Sequence, residues 1–165
     1  MNRKLFPFIV ASLFMALTTA CGQKTVSLTT ENLKKATSIS YYTDNGSVPP
    51  EYHWSMTLTV TPKQVKLKVV KGYDGKVAYS KKQRLTPAQY KQFLGKINKL
   101  SIKKKKFNGE PAVGGDSEYL CVKVGSQKVF DANDEELAYK GDLHAVFHDL
   151  LPNEMAQVFR HPDDL

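Results

Sequence analysis

A chain of 165 residues with 41% hydrophobic and 24% charged residues can bury one core of useful size and has no room for two. Its net charge of +8 suits an acidic partner or a negatively charged surface better than it suits a folded nucleic-acid reader, so no nucleic-acid partner is expected. Two cysteines, Cys21 and Cys121, offer no disulfide framework, and stability has to come from packing.

The chain begins with Arg3 and Lys4, an apolar run over residues 5–17, and the small-residue stretch Thr18-Thr19-Ala20 ending on Cys21. A basic start, an apolar centre of 7–15 residues and small residues before a cut make a secretory signal, and a run interrupted by Pro7 is too short for the roughly 20 residues of a spanning helix. Leu17-Thr18-Thr19-Ala20-Cys21 resembles the lipobox of bacterial lipoproteins, with Thr18 where the family usually has leucine. That resemblance implies cleavage before Cys21, diacylglycerol on its thiol, a second acylation of the new amine, and a bilayer as partner. Gly22 rather than Asp after the cysteine implies sorting to the outer membrane. Removal of residues 1–20 takes Arg3 and Lys4 away, lowers the charge from +8 to +6 and leaves 145 residues.

Residues 21–37 read as the lipidated cysteine and a polar tether, within which Leu28 and Leu33 could form a short docked helix. From Ile39 the period is two. Trp54, Met56, Leu58 and Val60 alternate with Ser55, Thr57 and Thr59, and Val65, Leu67 and Val69 alternate with Lys66 and Lys68. Thr61-Pro62-Lys63 and Gly72-Tyr73-Asp74-Gly75 are turns, and a more polar strand follows over 77–85. Short connections between these strands predict an antiparallel meander with one apolar and one wet, basic face. Thr86-Pro87-Ala88-Gln89 carries a cap, a proline suited to the first turn and a capping box, after which Tyr90, Phe93, Leu94, Ile97 and Leu100 recur at helical spacing. Leu120, Val122 and Val124, a Gly125-Ser126 turn, and Val129 with Phe130 predict a hairpin. Leu143, Val146, Phe147, Leu150 and Leu151 form a second helical stripe, Pro152 ends it, and Met155, Val158 and Phe159 predict one more short helix. The expected fold is α+β: an antiparallel sheet of about five or six strands packed by one main amphipathic helix and C-terminal helices, in a single domain over 38–165.

Four features in order, Pro49-Pro50 with Tyr52-His53 before an aromatic strand, the turn at Gly72 to Gly75, the Leu85-Thr86-Pro87-Ala88-Gln89 helix start and Gly114-Gly115-Asp116-Ser117, resemble a group of uncharacterised bacterial domains. The resemblance implies no chemistry. In layout alone the chain also resembles small protein inhibitors of thermolysin-type metalloproteases.

Tyr41, Tyr42, Tyr52 and His53 surround a loop stiffened by Pro49 and Pro50, and aromatics beside a rigid loop are suitable material for a binding surface, while Trp54 belongs to the apolar alternation. Lys103, Lys104, Lys105 and Lys106 form a run that could touch anionic headgroups, or simply a solvated edge whose lysines discourage pairing. His144 and His148 stand four apart on an expected helix, a spacing that can set two imidazoles on one metal, but Ala145 follows His144 where the zincin motif has glutamate. Cys121 in its strand reads as a small buried hydrophobe. No catalytic residue and no cofactor is assigned, because no nucleophile elbow, phosphate cradle or dinucleotide fingerprint is present. The resulting expectation is a membrane-anchored envelope lipoprotein carrying a non-catalytic binding or inhibitor module with an envelope protein as partner. The alternative is a metal-dependent or hydrolytic envelope enzyme using His144 and His148, and a third reading is an electrostatic spacer built on the lysine run.

Overall fold

Two-residue alternation between apolar and hydroxyl or lysine side chains is what builds the centre of the molecule. The computed structural model describes residues 25–110 and 114–165; the expected signal peptide and Cys21 lie outside them. Strands β2 (Ser38–Asp44), β3 (Trp54–Thr61), β4 (Gln64–Lys71), β5 (Lys76–Arg84), β7 (Ser117–Val124) and β8 (Gln127–Asn133) form an antiparallel sheet in the order β5-β4-β3-β2-β7-β8. The register sets Ile39 opposite Val60 and Val122, Tyr41 opposite Leu58 and Leu120, and Leu58 opposite Leu67. One face is therefore continuously apolar. The other carries Ser40, Thr57, Thr59, Lys66 and Lys68, polar side chains suited to solvent.

Helix α2 (Pro87–Lys99) covers the apolar face. Its N-terminus is held as its sequence predicts: the Thr86 hydroxyl accepts from the Gln89 amide at 3.2 Å while the Gln89 side chain accepts from the Thr86 amide at 2.8 Å. Phe93, Ile97 and Leu100 are buried, and Phe93 meets Phe147 edge-on at 5.3 Å. Phe147 belongs to the short helix α3 (Leu143–His148), which with α4 (Asn153–Arg160) completes the layer through Leu143, Met155 and Phe159. Gly95 lies on the solvent side of α2 with nothing near its missing Cβ, so it tolerates rather than requires glycine.

A second, three-stranded sheet has the order β1-β6-β9, from β1 (Val26–Ser27), β6 (Lys103–Lys104) and β9 (Leu137–Ala138). It changes the reading of the stretch over 21–37. From Val26 this stretch is folded: β1 pairs with β6, Leu28 and Leu33 are buried in the core, and α1 (Thr30–Lys35) is capped by Thr29. The reason is non-local, since most of the polar residues between the two leucines face solvent while Leu28, Leu33 and Ala36 reach the core. No helix among the described residues is long and apolar enough to cross a membrane.

Candidate functional site

At the end of the large sheet where β2 finishes and β7 starts, three loops converge on a cleft of about 420 Å³ lined by Tyr42, Asp44, Ser47, His53, Tyr73 and Asp116, among others. The β2–β3 loop forms its wall, and Asn45 closes that loop. Its amide nitrogen side donates to the Tyr52 carbonyl at 2.8 Å and its side-chain oxygen accepts from the Trp54 amide at 2.9 Å. Inside the loop, Pro49 starts a tight turn whose carbonyl accepts from the amides of Tyr52 at 2.9 Å and His53 at 3.1 Å. The β4–β5 turn then clamps the loop from outside, where the Tyr73 hydroxyl donates to the Val48 carbonyl at 2.8 Å.

Two residues fix the ends of the loop. His53 is only 8% exposed and stacks on Tyr73 at 3.9 Å between ring centres. Its Nδ1 lies 3.1 Å from the Gly72 carbonyl, which can only accept, so Nδ1 holds the proton of the neutral ring and the lone pair sits on Nε2. Asp44 accepts from the Tyr42 hydroxyl at 2.7 Å and from the Gly46 amide at 2.8 Å, which fixes the start of the loop. Burial, followed by the hydrogen bond to Asp44, raises the Tyr42 phenol to about 12, so it remains a neutral donor at physiological pH. Gly46 adopts φ +70°, and a Cβ there would lie 1.9 Å from the Gly115 carbonyl oxygen. Backbone therefore touches backbone across the cleft's corner, and only glycine fits.

The sequence-predicted residues separate. Tyr42 and His53 line the cleft, and Tyr52, 65% exposed, stands on the same loop. Tyr41 does not join them: it is 3% exposed, stacks on Phe147 at 4.7 Å and donates to Glu118 at 2.7 Å. Strand parity is the reason, because residue 41 shares the core face with Ile39 while residue 42 points the opposite way. Burial first, and then Glu118, pushes the Tyr41 phenol far above its ordinary range. Trp54 is half-buried against the core. Asp44, Tyr73 and Asp116 carry no signal of a site role in the sequence, although the glycines flanking Tyr73 and preceding Asp116 mark both turns.

His144 and His148 do share α3, but their rings are otherwise engaged. His144 stacks on Phe159 at 4.4 Å, and burial lowers its pKa. His148 Nε2 lies 2.9 Å from an Arg160 guanidinium nitrogen and so accepts from it. Among the described residues no group of three His, Cys, Asp or Glu side chains is placed to hold a metal. Cys121 is buried and free. Lys103 and Lys104 form β6, with Lys104 paired to Glu136 at 3.0 Å, and Lys105 and Lys106 continue from it, exposed. A smaller groove of about 150 Å³ between α2 and α3 is bridged by the Lys96–Asp149 pair at 2.8 Å.

Chemically the cleft offers a neutral phenol, an imidazole of fixed tautomer, free hydroxyls and carboxylates. Among the described residues neither Ser47 nor Ser117 is hydrogen-bonded to His53, whose Nδ1 faces the Gly72 carbonyl instead. The arrangement is suited to recognition by contact and hydrogen bonding. No known protein family, curated protein or solved structure matches this chain.

Proposed function

We propose that this protein is a lipoprotein of the bacterial cell envelope, anchored through acylated Cys21 to the outer membrane, and that its α+β domain is a non-catalytic binding module for an envelope protein. The observation that supports the binding reading is the cleft's construction: its wall is pre-set by the Asn45 clamp, the His53–Tyr73 stack and the Gly46–Gly115 backbone contact. A loop already held in place loses little entropy when a partner docks, so its aromatic surface can yield affinity. Inhibition of a protease is one form such binding can take.

The test uses the acylated full chain as bait in detergent-solubilised envelope, with Tyr52→Ala and Tyr42→Phe chains beside it and recovered proteins identified by mass spectrometry. A single saturable partner, weakened by Tyr52→Ala, is the expected result. Recovery indifferent to both changes would overturn the cleft as the binding surface. For the anchor, Cys21→Ser is expected to move the protein out of the membrane fraction, and unchanged retention would overturn lipidation.

A further inference from the structure

The lysine run and the start of the folded chain are neighbours in space. β1 pairs antiparallel with β6, Val26 opposite Lys104 and Ser27 opposite Lys103, so the strand on which the chain enters the domain lies directly against the lysines. Alternation sorts their side chains. Lys104 turns inward, donating to the Asp131 carbonyl at 2.8 Å and pairing with Glu136, whereas Lys103 and Lys105 on either side of it are exposed, as is Lys106. Of the acids beside β9, Glu136 is paired with Lys104.

We propose that this β1–β6 edge is the surface the domain turns toward an anionic bilayer, with Lys103, Lys105 and Lys106 against the headgroups. The inference rests on the lipid-anchor reading and adds an orientation to it. Five Cα steps separate Cys21 from Val26, so at 3.3–3.6 Å per step the acylated residue lies within about 18 Å of β1. Charge alone does not select this edge, because β5 at the other side of the large sheet also carries exposed Lys76, Lys82 and Arg84. Reach selects it. β6 lies against β8 through the Lys104 contact to Asp131, and β5 is five strand spacings from β8, about 24 Å at ~4.8 Å each. With the anchor tethered to β1 within that reach, the large sheet stands with its β8 edge toward the membrane and its β5 edge away. Each lysine close to an anionic surface favours that posture about fivefold, and three together on the order of a hundredfold.

The test reconstitutes the acylated full chain into vesicles of phosphatidylethanolamine and phosphatidylglycerol, and separately into phosphatidylcholine. A fluorophore is placed at Phe107→Cys, next to the run, or at Ser80→Cys on β5, and quenched by a headgroup-labelled lipid; Cys121 is buried and does not compete. Stronger quenching at 107 than at 80 is expected on the anionic vesicles, with the difference shrinking when Lys103, Lys105 and Lys106 are changed together to Gln, on phosphatidylcholine, or in high salt. Equal quenching at the two positions on anionic vesicles would mean that the sheet lies flat and would overturn the orientation. A difference unchanged in the triple Gln chain would assign it to the tether alone and overturn the role of the lysines. Mass analysis of the Cys21 peptide separates the two levels: an unacylated peptide removes the anchor and this orientation together, while an acylated peptide with equal quenching removes only the orientation.

Discussion

Gly46→Ala, compared with Gly75→Ala, probes whether the cleft is pre-set. Both glycines have left-handed backbone, φ +70° and +78°, so each alanine carries a conformational cost of about 1–2 kcal/mol. They differ in surroundings. A Cβ at Gly75 meets nothing within 4 Å, whereas at Gly46 it lies 1.9 Å from the Gly115 oxygen and 2.5 Å from its carbonyl carbon. Relief of that overlap requires the two backbones to part by more than ~1 Å, and overpacking of this kind adds about 1–3 kcal/mol. At about 2–4 °C of Tm per kcal/mol for a chain of this size, Gly46→Ala should melt several degrees below Gly75→Ala. Thermal unfolding measures the difference, and NMR of the His53 and Tyr73 rings reports whether the stacked wall moves with it. Equal Tm values and unshifted rings in Gly46→Ala would refute the backbone contact and, with it, the argument that the cleft is held ready for a partner.

Phe93→Ala should cost about 3–5 kcal/mol in chemical denaturation, because it empties the centre of the α2 contact with Phe147; a loss below ~1 kcal/mol would contradict the packing. Gly95→Ala should stabilise by up to about 1 kcal/mol, since the helix gains propensity and the methyl meets no atom, and destabilisation would show that the helix face is assigned wrongly. Stability should fall as pH drops from neutrality through the ordinary His value of 6.5, because burial lowers the His144 pKa and the unfolded chain takes up the proton first. His144→Gln should flatten that slope in denaturation curves recorded at several pH values; an unchanged slope assigns the acid sensitivity to another group.

The parts of the fold legible in the sequence are those stabilised by neighbours along the chain. Thr86, Pro87 and Gln89 specify the start of α2 through contacts three residues long, and the alternations at Trp54 to Val60 and Val65 to Val69 mark two strands because one face of each is dry. For the candidate site, the prolines and aromatics mark the loop that walls the cleft. Tyr41 was grouped with it by proximity in sequence, although its parity with Ile39 already assigned it to the core.

What the sequence by itself determined is thus the α+β class, the main helix, the meander and the loop that bears Tyr42, Tyr52 and His53. Tertiary structure alone decided the second sheet, whose two-residue strands are too short to show any period, and that Leu28 and Leu33 dock in the core where the sequence left a tether and a short docked helix both open. It also decided which loops meet. Gly46 and Gly115 are 69 positions apart, Tyr73 reaches the carbonyl of Val48 from another hairpin, and the lysine run lies beside β1 only because β6 pairs with it. Such contacts arise from the order and register of strands, which are set by burying all the apolar faces at once and are therefore written in no single stretch of the chain.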